Sequence, residues 1–147
     1  MSLESCCQGR LVVLKPHVMA VEAGRAMKAN RVGAVLVVQQ GRLVGILTDR
    51  DLAVRCVASD LLPSNVEVAE LMTPDPVTID VAETEERAAE LMQAMHVRRL
   101  VVVDRGHIAG IVTLDDLVLS RRAGLDPVRD VIYSQLSDEA PAKPLGF

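Results

Sequence analysis

The sequence predicts a mixed α/β fold of the α+β class, made of two half-units of one kind, each β-α-β-β-α, packed on each other. Three observations carry this. The stretch Gly45-Ile46-Leu47-Thr48-Asp49-Arg50-Asp51-Leu52 returns as Gly110-Ile111-Val112-Thr113-Leu114-Asp115-Asp116-Leu117, 65 positions on. The same offset aligns Ala23 with Ala88, Met27 with Met92, Val32 with Val97, Val37 with Val102 and Gly41 with Gly106, without gaps. Such internal repetition governs the architecture and is read before any single element. Secondly, short β-branched runs alternate with stretches of helical period in each half. Thirdly, 50% of the residues are apolar but only 1% aromatic, so the core is built from Val, Leu, Ile, Ala and Met.

The elements follow in order. Leu11–Leu14 is a short apolar run before Pro16 and reads as a strand. From Val18 to Asn30, Met19, Ala23, Ala26 and Met27 recur at helical spacing. Gly24 inside that stretch costs roughly 1 kcal/mol relative to Ala, and Asn30 and Gly33 suit its end. Ala34–Val38 is almost continuously β-branched, the pattern of a strand buried on both faces. The tight connection Gln39-Gln40-Gly41-Arg42 joins it to a strand at Leu43–Leu47 as a hairpin. Thr48-Asp49-Arg50-Asp51 then opens a helix reaching about Ala58.

Asp60–Val66, with Pro63, Ser64 and Asn65, reads as the linker between repeats. Val68–Met72 is one helical turn closed by Thr73-Pro74. The unit then restarts with a strand at Val77–Ile79, a helix at Thr84–Met95, strands at Leu100–Asp104 and Ile108–Val112 joined by Arg105-Gly106-His107, and a helix at Leu114–Arg122. Repeat 1 is thus drawn at 1–62 and repeat 2 at 63–125. Residues 126–147 hold a last helix from Asp126-Pro127, with Val128, Val131, Ile132 and Leu136 on one face, and a frayed tail from Ala140.

Composition narrows the function. A net charge of −4, with Tyr133 and Phe147 the sole aromatics, gives neither a basic footprint nor stacking platforms, which argues against general nucleic-acid binding. Met1–Gln8 lacks the basic start and apolar run of a signal peptide, and no segment approaches ~20 apolar residues. The expectation is a cytoplasmic chain. Cys6, Cys7 and Cys56 form an odd count without metal-ligand spacing. Adjacent Cys6-Cys7 make a poor disulfide, Cys56 reads as a small core residue, and a redox-responsive reading rests on Cys6 and Cys7 alone. No three of His, Cys, Asp and Glu fall at zinc-like spacing. His96 and His107 read as surface residues beside turns, and His17 lies near the start of the first helix with its role open. There is no Gly-rich phosphate loop and no nucleophile elbow, so the chain is not read as an enzyme.

With G-h-h-T-x-x-D-h closing each hairpin and Val97-Arg98-Arg99-Leu100-Val101-Val102-Val103-Asp104 in the second copy, residues Leu11 to Arg122 resemble a pair of CBS domains of the stand-alone type, a Bateman module. The doubled motif makes the resemblance specific. It implies two repeats packed sheet to sheet about a pseudo-twofold axis. It also implies a regulatory sensor of adenosine-type ligands (AMP, ADP, ATP, NAD or S-adenosylmethionine), bound as effectors in the cleft between the repeats, with no obligatory cofactor. A homodimer and a regulated partner acted on in trans follow from the same resemblance, the homodimer also from Val/Leu-rich, aromatic-poor helices that leave apolar faces once the sheets pack; no membrane partner is expected.

Carried over residue by residue, the resemblance implies two unequal sites. The first combines Thr48, Arg50 and Asp51 with Val77, Thr78, Val97, Arg98 and Arg99. Adenine would lie against the strand residues, ribose on Asp51, and phosphates on Arg98 and Arg99, whose guanidinium forks suit phosphate oxygens. The second combines Thr113, Asp115 and Asp116 with Val12, Val13, Gly33 and Ala34. There Gly33 and Ala34 stand in place of the arginines and Asp115 adds negative charge, so a neutral adenosyl group or nothing is expected. Arg98-Arg99 also reads as an ordinary solvated pair at a strand edge.

The same residues have a purely structural use. Thr-x-x-acid ahead of an apolar helix is a capping box, and Asp there complements the helix dipole. A helix N-terminus also offers N–H groups to a phosphate, and a carboxylate accepts ribose hydroxyls. The two uses compete for one carboxylate. The alternative is therefore a ligand-free interaction or scaffold module whose Thr-x-x-Asp motifs only cap helices. The first repeat favours it, because Lys15-Pro16-His17 replaces the threonine lead that the family carries into its first helix.

Overall fold

The computed structural model describes residues 3–5, 11–120 and 131. They form two compact units. The first, Arg10–Pro76, holds β1 (Val13–Leu14), α1 (Ala20–Asn30), β2 (Ala34–Gln39), β3 (Arg42–Thr48), α2 (Asp49–Asp51), a π-helical segment (Leu52–Val57), α3 (Val68–Leu71) and β4 (Thr73–Pro74). The second holds β5 (Thr78–Asp80), α4 (Glu85–Met95), β6 (Arg99–Asp104), β7 (His107–Thr113) and α5 (Leu114–Ser120), together with a 3-10 turn at Leu3–Ser5. Cys6, Cys7, the helix expected from Asp126 and the tail lie outside the described residues, except Val131, which is buried in the second core.

The β-α-β-β-α order appears twice, as expected. In the first sheet, ordered β1-β2-β3-β4, β1 runs parallel to β2 and the other neighbours are antiparallel. In the second, ordered β5-β6-β7, β5 is parallel to β6 and β6 antiparallel to β7. The hairpins correspond position for position. Ala34 pairs with Thr48 as Arg99 pairs with Thr113, and each register breaks once, leaving Val44 and Ala109 as the extra residues. Both turns put two successive residues at positive φ, Gln40 and Gly41 in one, Arg105 and Gly106 in the other. This is the type I′ geometry that matches strand twist.

Each unit has its own core. Ala23, Met27, Val35, Val37, Leu47 and Leu71 are buried together in the first; Ala88, Met92, Leu100, Val102, Val112 and Leu117 in the second. Leu36 and Val101, on the other face of β2 and β6, are fully buried as well. This explains why both strands are continuously apolar.

Four details depart from the sequence reading. First, the stretch drawn as a linker is bound into the first unit. Ala20 N–H donates to Val66 O (2.8 Å) and Val21 N–H to Pro63 O (2.9 Å). These carbonyls satisfy the first turn of α1, whose N-cap Met19 offers no side-chain bond. Secondly, Thr73-Pro74 is a short edge strand against Ile46 and Gly45 rather than a mere helix stop; an edge tolerates proline because one side needs no donor. Thirdly, α1 ends on Arg31 in the left-handed region (φ 53°), with Val32 N–H closing on Met27 O at 3.1 Å, so neither Asn30 nor Gly33 makes the turn. Fourthly, the helix after Asp51 becomes π-helical, with Ala58 N–H reaching Ala53 O at 2.9 Å. Its counterpart α5 stays α-helical. The wider turn keeps Leu52 and Cys56 on the core while Val54 and Val57 remain exposed.

Candidate functional site

Hairpin register gathers the motif residues at one end of each sheet. In the first unit, Asp49 N–H donates to Gly33 O (2.9 Å), Ala34 pairs with Thr48, and Leu36 N–H donates to Val12 O (2.9 Å). Val12, Val13, Gly33, Ala34, Thr48, Arg50 and Asp51 thus collect where β1 and β2 begin and β3 ends. In the second unit, Leu114 N–H donates to Arg98 O (2.9 Å), Arg99 pairs with Thr113, and Val101 N–H donates to Val77 O (3.0 Å). Val77, Thr78, Val97, Arg98, Arg99, Thr113, Asp115 and Asp116 collect at the matching end. Each unit therefore holds the Thr-x-x-Asp of one expected set and the strand residues of the other.

Both Thr-x-x-Asp motifs form reciprocal caps. Thr48 Oγ1 accepts from Asp51 N–H at 3.1 Å, and Asp51 Oδ2 accepts from Thr48 N–H at 2.9 Å. The second copy repeats this at 3.1 and 2.8 Å between Thr113 and Asp116. Each carboxylate thereby places one oxygen on the backbone. The other oxygen of Asp51, on a side chain only 16% exposed, lies 3.7 Å from Arg55 Nε. Arg55 Nη1 in turn donates to Leu71 O at 2.8 Å, at the end of α3. Arg55 was not singled out from the sequence, although its i,i+4 spacing from Asp51 is the usual mark of a helical ion pair.

The arginines divide. Arg98 is exposed and its Nη2 lies 3.7 Å from Asp115 Oδ1, on side chains 50% and 82% exposed. A pair so solvated contributes at most about 1 kcal/mol. It joins a residue assigned to the first expected site with one assigned to the second, so charge in this unit is shared between them. Arg99 is half-buried within β6. Arg50 is exposed, and its N–H donates to Asp49 Oδ1 (2.8 Å). His17, His96 and His107 are exposed. Among the described residues, no three of His, Cys, Asp and Glu come together as a metal site, and no helix is long and apolar enough to cross a membrane.

Known proteins agree with this geometry. The CBS domain profile matches twice, over residues 5–57 and 68–122. The CBS domain-containing protein YhcV of Bacillus subtilis is 35% identical over 120 residues, covering 82% of this chain and 85% of that protein. The crystal structure of a CBS-domain containing protein from Agrobacterium tumefaciens superposes with a TM-score of 0.74 at 26% identity, covering 82% of this chain and 99% of that one. An arabinose 5-phosphate isomerase of Francisella tularensis is 40% identical over 107 residues, 72% of this chain but 32% of the enzyme. Proteins of this kind are generally regulatory and non-catalytic. Two matched repeats across most of the chain, each with its own hairpin and Thr-x-x-Asp, make this protein a member of the CBS-domain family carrying one pair of repeats.

Proposed function

We propose that this chain is a non-catalytic sensor that binds an adenosine-type ligand at the Thr-x-x-Asp ends of its repeats and signals to a partner protein in trans. One observation carries the reading: both Thr-x-x-Asp units stand at the same sheet end as the entry to the central strand, in both repeats, with Arg98 and Arg99 added in the second. Helix N–H groups there suit a phosphate, and Asp51 Oδ1, unlike Oδ2, makes no backbone cap. In the isomerase, the matched segment accompanies an enzyme as a third of its length, which fits a regulatory role for such a pair. Calorimetric titration with AMP, ATP, NAD and S-adenosylmethionine tests the proposal. Heat for at least one supports it. No heat for any at about 100 μM ligand, where a micromolar Kd would saturate the site, sinks it. Arg98→Ala should weaken ATP more than adenosine.

A second reading is favoured by the caps themselves. Because both carboxylates already serve their helices, the chain also fits a ligand-free interaction module. Asp51→Asn separates the two: the amide oxygen still accepts from Thr48 N–H, but the charge that favours ribose hydroxyls is gone. Loss of nucleotide binding with no more than the small drop in melting temperature due to the missing Arg55 ion pair supports the sensor. If the parent protein never gains thermal stability from added nucleotide, the scaffold reading stands. Under either, a homodimer is inferred from exposed apolar side chains: Val54, Val57, Leu61 and Leu62 lie within nine residues of the first unit, each at least 44% exposed.

A further inference from the structure

A cavity of about 650 Å³ opens at the other end of the first sheet. One wall is the chain leaving β1, from Val13 to His17; the other is the end of β2 and its turn, from Val38 to Gly41. Both walls belong to the first unit. Ala34 pairs with Thr48 and Gln39 with Arg42, so the length of β2, about 17 Å, separates the cavity from the capping motif. Val13 is the one residue it shares with the expected adenosine sites.

Its chemistry is distinctive. In a chain of net charge −4, the ionisable groups lining this cavity among the described residues are Lys15 and His17, with no carboxylate between them. Gln39 and Gln40 bring amide donors and acceptors, while Leu14, Pro16 and Val38 supply apolar wall. The second repeat is an internal comparison. Sixty-five positions on, Lys15 becomes Asp80, His17 becomes Ala82, Gln39 becomes Asp104 and Gln40 becomes Arg105. Those groups are used locally: Asp80 Oδ1 accepts from Ala82 N–H at 2.8 Å, and Arg105 Nε lies 4.0 Å from Asp104 Oδ1. The first repeat has exchanged two carboxylates for a cation and an amide at that sheet end. Lys15, Pro16 and His17, where the first repeat departs from the family pattern, are among the residues that line the cavity.

We propose that this cavity binds a small organic anion with one negatively charged head and an apolar body. The Lys15 ammonium and the His17 imidazole hold the head; Leu14, Pro16 and Val38 cover the body. The volume lies within the range of small-molecule sites, about 300–1,000 Å³. A lysine is a point charge that takes carboxylate or phosphate alike. The proposal uses other residues than the adenosine site and stands or falls separately from it.

Nitrogen-15 NMR titration of the full chain with benzoate, phenyl phosphate and benzamide tests it. At least one anion should shift the amides of Lys15, His17, Gln39, Gln40 and Gly41 while those of Thr48 to Asp51 stay in place. Benzamide, of the same shape but uncharged, should bind about tenfold more weakly or worse. Whichever anion binds tighter identifies the head group. Lys15→Gln should lose about tenfold in anion affinity with an unchanged spectrum elsewhere, and Lys15→Asp should lose more. No shift with either anion at about 10 mM, equal binding of benzamide, or undiminished binding by both Lys15 variants overturns the proposal.

Discussion

Asp51 and Asp116 are where structure and function contend for the same atoms. Each lends one oxygen to the amide three residues upstream, so truncation to alanine removes half of a reciprocal cap. Asp51→Ala and Asp116→Ala should each lower stability by about 1 kcal/mol, read as a shift in the urea midpoint at constant slope. Asp51→Ala also leaves Arg55 without its carboxylate, 3.7 Å away. Arg31 tells the opposite story. It holds a left-handed conformation at the end of α1, a backbone that glycine adopts without the Cβ penalty. Arg31→Gly should therefore raise stability by up to about 1 kcal/mol, visible as a higher melting temperature. If it instead destabilises, the arginine side chain contributes more than its backbone strain takes away.

At the level of elements, the repeat made most of the architecture legible. The strands and longer helices fall within two or three residues of where periodicity puts them, since β-branched runs and the spacing Ala23-Met27 or Ala88-Met92 are strong local signals. What periodicity does not encode is partnership. Thr73-Pro74 becomes a strand only because β3 offers it an open edge, and Leu52–Val57 turns π-helical where α5, from the same motif, does not. The site was legible as motifs, and register shows why the motifs meet: antiparallel pairing brings Gly33 to Asp49 and Arg98 to Leu114. Gly45 gains a meaning that the repeat alone did not give. A Cβ there would come within 2.8 Å of Met72 Cγ, so Gly45→Ala should destabilise by about 1–3 kcal/mol by overpacking. Adding Met72→Ala should recover part of that loss, since the two sites are in contact and non-additive. Full additivity in thermal melts would refute the contact as the cause.

For the whole molecule, the decisive quantity is assembly. Four exposed aliphatic side chains so close in sequence give the first unit a surface that water disfavours. If this surface joins two copies, Val57→Asp with Leu62→Asp should convert a sedimenting dimer to a monomer without loss of helical signal. A parent protein that sediments as a monomer at high concentration, or a double variant that stays dimeric, removes that surface from the interface. The dimer was an expectation from family and apolar content; the structure adds named exposed side chains to test.

The carbonyls of Pro63 and Val66 that close the first turn of α1 have a practical reach beyond capping. A fragment ending at Leu62 would have a leading helix that has lost its acceptors and a third strand that has lost its neighbour at Thr73–Pro74. Extending the cut to Pro76 should yield a fragment that refolds reversibly by itself, whereas the shorter one should be cleared by proteases. Evolution could therefore exchange or duplicate this half as a cassette only by carrying those fourteen residues along with it.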